Sequence, residues 1–271
     1  MATVDRTTDA RQNLSLVVDG VRLHAERLAP PRPGDGPVLV LLHDSLGSVR
    51  LWRDFPERLA EATGLGVLAY DRRGHGASDR FGPEARTPSY LHEQAAVLDR
   101  VLAAAGVERA VLFGHSDGGS IALLAAALHP TRIRGVVAEA AHVFVEERTL
   151  AGIREAQRAI ESGDLLSRLE RYHGDKASAL AAAWIGTWFS PAFRGWNIEA
   201  ELRRIHCPVL VLQGSEDEYG SEAQVQAIAQ GVAGPSRAVI LPGLRHTPHR
   251  EDTDAVLRLV TEYLEAAEGR P

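Results

Sequence analysis

A six-residue run, Gly114-His115-Ser116-Asp117-Gly118-Gly119, constrains this chain more than any other feature. It follows the apolar run Ala110-Val111-Leu112-Phe113 and precedes an Ala/Leu-rich run over 120–128. That order predicts a strand, a tight turn and a helix, with a serine at the apex. Such a serine is held in strained backbone geometry with its hydroxyl projecting. Small residues two before and two after it let strand and helix pass close together. The helix aims its first free N–H groups and the positive end of its dipole at the same point, where negative charge develops in acyl transfer.

At 271 residues and 45% apolar content, the chain fits one large α/β domain with room for an insertion. The net charge of −6, with no basic stripe, argues against nucleic acid and anionic membrane surfaces as partners. A small-molecule substrate is the expected partner, and oligomeric state is not readable from the pattern. Lys176 is the only lysine among many arginines, which reads as genomic base composition. Cys207 is the only cysteine, so there is no intramolecular disulfide and no cysteine-based metal cluster. Its place at the start of an apolar strand predicts a half-buried, inert thiol. The first twelve residues are polar with no apolar core of a signal peptide, and no apolar run reaches spanning length. The expectation is a cytoplasmic protein with a frayed N-terminus.

Alternating runs around Asp19-Gly20 predict a β-hairpin over 14–25. The continuous apolar run at 37–43 predicts a strand buried on both faces, and apolar runs at 66–70, 110–113, 135–140, 209–213 and 238–241 predict further strands. Helices are predicted over 49–63, 90–105, after Ser116, 221–231 and 251–267. This alternation predicts a mainly parallel sheet with helices on both faces. Between 143 and 204 the buried β-runs stop, and helical patterning comes with Trp184, Trp188, Trp196, Phe189, Phe193 and Tyr172. The expected organisation is a flexible N-terminus (1–12), a core of 13–142 and 205–271, and an inserted helical cap (143–204).

A hydroxyl is a poor nucleophile at neutral pH and needs an adjacent base, itself oriented by a third group. In open parallel sheets such partners sit at the carboxyl ends of strands. Two segments qualify: Gly214-Ser215-Glu216-Asp217-Glu218, and Pro242-Gly243-Leu244-Arg245-His246-Thr247-Pro248-His249. The chain order is nucleophile, acid, histidine.

With these segments and two further motifs, His43-Asp44-Ser45-Leu46-Gly47 and Asp71-Arg72-Arg73-Gly74-His75-Gly76-Ala77-Ser78, nearly the whole chain resembles the α/β-hydrolase fold superfamily. The resemblance is to its members with a helical cap after the sixth strand. It implies about eight strands, mostly parallel, with an antiparallel first hairpin. It also implies Ser116 as nucleophile, His246 as base and Asp217 as orienting acid, with Glu216 or Glu139 as alternative acids and His249 as alternative base. The implied oxyanion donors are the backbone N–H groups of Ser45 and Asp117. Members usually carry His-Gly where this chain has His43-Asp44, a departure that could shift the loop and bring the N–H of Leu46 or Gly47 into play instead. His43 is expected to support that loop or reach the pocket; His115 is expected beneath the elbow and His75 within the turn. His142, Trp184 and Trp188 are candidates for the pocket wall. No cofactor and no metal are expected: His246 and His249 lack a helical H-E-x-x-H arrangement, and Gly74–Ser78 lacks the lysine of a phosphate loop.

The implied activity is hydrolysis of a small carboxylic ester, lactone or thioester through an acyl-enzyme. The alternatives are carbon–carbon bond hydrolysis or cofactor-free lyase chemistry on the same triad, and a slow or non-catalytic ligand receptor. Haloalkane and epoxide hydrolases of this fold use an aspartate nucleophile, whereas Ser116 stands in that place here.

Overall fold

The computed structural model describes residues 11–31, 34–82, 86–267 and 269. The strands are β1 (Arg11–Val18), β2 (Val21–Leu28), β3 (Val38–Leu42), β4 (Val67–Tyr70), β5 (Ala110–His115), β6 (Ile133–Glu139), β7 (Val209–Gly214) and β8 (Ser236–Leu241). They form one sheet in the order β1-β2-β4-β3-β5-β6-β7-β8. The hairpin β1–β2 and the β2–β4 pair are antiparallel, and all other pairs are parallel. The first strand starts three residues before the predicted hairpin, with Arg11 opposite Leu28 and Gln12 opposite Arg27. Residues 1–10, where the frayed terminus was expected, lie outside the described residues.

Strands β3, β4, β5 and β7 are almost wholly buried because helices cover both faces. The core helices are α1 (Phe55–Thr63), α2 (Tyr90–Ala104) and α3 (Asp117–Leu128). Two predicted helices are interrupted. The 49–63 stretch is a short 3-10 turn, Val49–Trp52, then α1, because Arg53 takes a left-handed φ of 56° and Pro56 can only begin a helix. The 251–267 stretch starts earlier, at Pro248, and breaks at Asp252.

Residues 143–204 carry four helices: α4 (Glu147–Glu161), α5 (Asp164–His173), α6 (Ala177–Trp188) and α7 (Glu199–Leu202). The two ends of this segment pair at a neck, where Phe144 bridges Asn197 and the Ile198 N–H donates to the Val143 carbonyl (2.8 Å). Its aromatics pack on one another: Trp188 and Trp196 each lie within 5.3 Å of the Phe193 ring centroid. Lys176, which the sequence marked only as the sole lysine, fastens this segment to the turn after β4. Its Nζ donates to the carbonyls of His75 (3.2 Å), Gly76 (2.6 Å) and Ser78 (2.5 Å). After the segment come α8 (Glu222–Gly231), α9 (Pro248–Glu251) and α10 (Thr253–Ala267).

The elbow is built by close approach. A Cβ on Gly114 would lie 2.2 Å from the Gly118 carbonyl oxygen, and one on Gly118 would lie 1.9 Å from that of Leu42. Both obstacles are backbone and cannot swing away. Gly118→Ala is therefore expected to destabilise the fold by about 3 kcal/mol or more. Denaturant titration measures this, and a midpoint equal to the parent's would contradict the packing described.

Candidate active site

Ser116 sits between β5 and α3 with φ 55° and ψ −120°, a region an L-residue occupies only under constraint. The constraint is visible: its N–H donates to the Glu139 carbonyl (2.9 Å), and its own carbonyl accepts from Gly119 (2.8 Å) and Ser120 (3.1 Å). The hydroxyl is thereby aimed away from the sheet.

His246 comes from the loop after β8 and Asp217 from the loop after β7. Gly214 lets the two loops meet, since a Cβ there would lie 2.1 Å from the Leu244 carbonyl oxygen. Ser116 Oγ lies 3.0 Å from His246 Nε2, and His246 Nδ1 lies 2.8 Å from Asp217 Oδ1. A carboxylate only accepts, so Nδ1 carries the proton and Nε2 is left to accept from the serine. Asp217 Oδ1 also accepts the N–H groups of Tyr219 (2.8 Å) and Gly220 (3.1 Å). Burial pushes the Asp217 carboxyl up; the charge and hydrogen bond of His246, with the Tyr219 N–H, outweigh this and leave it below the usual carboxylate range. The Tyr219 ring packs against His246 (4.6 Å between centroids).

The alternative residues are placed elsewhere. Glu216 is exposed. Glu139 is buried and paired with His249, with Nδ1 to Oε2 at 2.5 Å and the His249 N–H to Oε1 at 2.8 Å. Those two and His115 gather their ligand-type atoms within 4.8 Å. Side-chain contacts occupy that cluster: Glu139 and His249 bond to each other, and both His115 nitrogens face acceptors on Asp44 and His246.

The loop after β3 resolves which N–H groups are free. The Leu46 N–H donates to Asp44 Oδ1 (2.8 Å) and the Gly47 N–H to the Asp44 carbonyl (3.3 Å). The N–H groups of Ser45 and Asp117 donate to no protein group among the described residues. Asp44 needs no glycine-like backbone, since it is absent from the positive-φ residues. Arg72 holds the loop from below, its Nη2 donating to the carbonyls of His43 (3.1 Å) and Asp44 (2.6 Å).

A cavity of about 430 Å³ opens above Ser116. His142, Trp184 and Trp188 line it, as do Ser45, Asp117 and His246. His43 does not line this cavity. It is drawn beneath the loop, where its Nδ1 is 2.8 Å from the Asp44 carbonyl and its Nε2 accepts the Arg72 N–H (3.1 Å). Four contacts, made by three residues, escaped sequence reasoning. Tyr90 donates its hydroxyl to Asp117 Oδ2 (2.9 Å). His75 Nε2 reaches the Ser45 carbonyl (3.1 Å). His173, at the end of α5, accepts the Gly76 N–H at Nδ1 (2.9 Å) and donates from Nε2 to the Leu46 carbonyl (2.9 Å). These partners are 27 to 127 residues apart, so no local spacing could signal them.

An eight-stranded sheet of this order, with a serine on the turn after β5 and an acid and a histidine after β7 and β8, defines an α/β hydrolase. The chain belongs to the alpha/beta hydrolase family, whose pattern its residues 39–259 match. The mouse serine hydrolase BPHL is 29% identical over 262 residues, covering 92% of this chain and 85% of that protein. Epoxide hydrolase A of Mycobacterium tuberculosis is 26% identical over 317 residues, covering 93% of this chain and 97% of that protein. Among solved structures, a membrane phospholipase A described as a bacterial virulence factor superposes with a TM-score of 0.80 at 22% identity, over 96% of this chain and 87% of that one. No helix among the described residues is long and apolar enough to cross a membrane.

Proposed function

We propose that this hydrolase cleaves a small carboxylic ester, lactone or thioester through an acyl-enzyme on Ser116. The observation that carries the reading is the unbroken series Ser116 Oγ, His246, Asp217 at 3.0 and 2.8 Å. His246 Nε2 takes the hydroxyl proton as Ser116 Oγ attacks the carbonyl carbon. The oxyanion forms beside the free N–H groups of Ser45 and Asp117, each such donor being worth on the order of 3 kcal/mol. The imidazolium then protonates the departing alcohol or thiol. Water, deprotonated in turn by His246, attacks the acyl carbon and returns Ser116.

A hydroxyl at the elbow separates this reading from the epoxide hydrolase relative, because an alkyl-enzyme ester requires a carboxylate nucleophile. The serine hydrolase BPHL of mouse supports it by name. The helical segment 143–204 acts as the cap: Trp184 and Trp188 of α6, Ile153 of α4 and Leu165 of α5 give the cavity an apolar wall. Asp44, Asp117 and Glu218 place carboxylates in the same wall, and Arg168 of α5 sets a cation among them, so the wall carries both signs of charge.

A series of chromogenic esters of increasing acyl length tests this. Turnover is expected on short and medium acyl chains and to fall once the chain outgrows the cavity of about 430 Å³. Equal turnover across the series, or release of no alcohol from any ester, would count against the reading.

A further inference from the structure

Asp44 occupies the place where related chains usually carry glycine, and it reaches three parts of the site at once. Its carbonyl is held by Arg72 Nη2 (2.6 Å). Its Oδ1 accepts the Leu46 N–H (2.8 Å), which shapes the loop so that the Ser45 N–H is left free. Its Oδ2 lies 3.5 Å from Nδ1 of His115, the residue before the nucleophile. The other nitrogen of His115, Nε2, lies 2.8 Å from the carbonyl oxygen of His246. A carboxylate and a carbonyl both only accept, so a His115 that carries a proton on each nitrogen satisfies both the 2.8 Å hydrogen bond and the 3.5 Å ion-pair contact.

Four elements face that ring. Asp44 approaches from the loop after β3, and Glu139 from the end of β6, its carboxylate within 4.8 Å. His246 approaches from the loop after β8 and His249 from α9, their ring centroids at 5.1 and 5.0 Å. The His115 side chain is 3% exposed, whereas Asp44 keeps 36% of its side chain in contact with solvent. Burial acts to strip the imidazole of its charge; the Asp44 carboxylate and Glu139 outweigh it and push the group up to about 9. The same pairing holds the Asp44 carboxyl below its usual range against the opposing effect of burial.

We propose that Asp44 and His115 form a latch for acyl transfer, an ion pair that ties the loop presenting the Ser45 N–H to the loop presenting His246. It rests on the serine-hydrolase reading above. Asp44 is a positioning residue: it acts on the reaction through the backbone of Ser45 and, by way of His115, through the backbone of His246. The stabilisation from a raised imidazole is fully present below the ordinary value of about 6.5 and is lost as pH rises through about 9. The latch therefore opens on the alkaline side.

The test pairs kinetics with nitrogen-15 NMR of histidine-labelled full-length protein. His115, identified by the signals missing from His115→Gln, is expected as an imidazolium at pH 7.5 that deprotonates near pH 9. Asp44→Asn keeps an oxygen for the Leu46 N–H but removes the charge. On an active ester its kcat is expected to fall roughly 10- to 100-fold, as misplaced catalytic groups do, with a smaller change in KM. The alkaline limb of its kcat profile moves to lower pH, and Asp44→Glu recovers part of the rate. If Asp44→Asn does not fold, His115→Gln carries the same kinetic test, because its amide still donates toward the His246 carbonyl without the charge. A neutral His115 at pH 7.5 overturns the latch, and so does Asp44→Asn with the kcat and alkaline limb of an active parent. A parent that hydrolyses no ester overturns the serine-hydrolase reading, and the positioning role falls with it.

Discussion

Ser116→Ala is expected to lower ester hydrolysis by roughly three or more orders of magnitude, as single deletions in such triads do. The substitution removes one oxygen and disturbs little else. The left-handed backbone at position 116 is set by hydrogen bonds of its N–H and carbonyl to Glu139, Gly119 and Ser120, which alanine retains. His246 keeps Asp217, and the N–H groups of Ser45 and Asp117 stay in place, so the residual rate reports what oxyanion stabilisation and binding achieve without a nucleophile. The check is kcat/KM on one active ester at matched, verified folding. A variant that turns over as fast as the parent would remove Ser116 from the chemistry.

Asp217→Asn is expected to lower kcat by roughly three to four orders of magnitude, the scale seen when the acid of a comparable triad is neutralised. Asp217 is 1% exposed, and its Oδ1 serves three donors: His246 Nδ1 and the N–H groups of Tyr219 and Gly220. An amide oxygen can keep the backbone pair, so the loop survives. What disappears is the negative charge that offsets the imidazolium formed during attack. A second readout follows from the depressed carboxyl. Its stabilising contribution is present above the unfolded value of about 3.9 and is lost as pH falls toward the lower folded value. Asp217→Asn should therefore flatten the acid limb of the stability curve while the parent still shows it. A steep, parental acid limb in the variant would contradict that assignment of the shift.

Strand and helix order was legible because buried parallel strands read as unbroken apolar runs and the turn at Ser116 has fixed chemistry. Boundaries slipped where backbone geometry overrode pattern, as at Arg53 and Asp252, and where pairing extended a strand past its apolar stretch, as at Arg11. Strand ends narrowed the partners of Ser116 to residues 214–218 and 242–249, because the sheet brings those ends to one edge, and the family resemblance then singled out Asp217 and His246. The support around them could not be read in this way. His43 was left between pocket and loop because nothing local shows that Arg72 and the Asp44 carbonyl draw it under. Glu139 had no visible partner until α9 brought His249 to it, 110 residues along the chain. Asp44 looked like a disturbance to the oxyanion loop; with its carboxylate on the Leu46 N–H and opposite His115, it is what shapes that loop.

The central claim is most directly tested by labelling with a fluorophosphonate probe, followed by peptide mass mapping. The account predicts a single adduct on Ser116, formed in proportion to lost esterase activity, slowed by a competing ester and absent from Ser116→Ala. Activity lost while Ser116 stays unmodified, or an equal adduct on the Ser116→Ala protein, would contradict it.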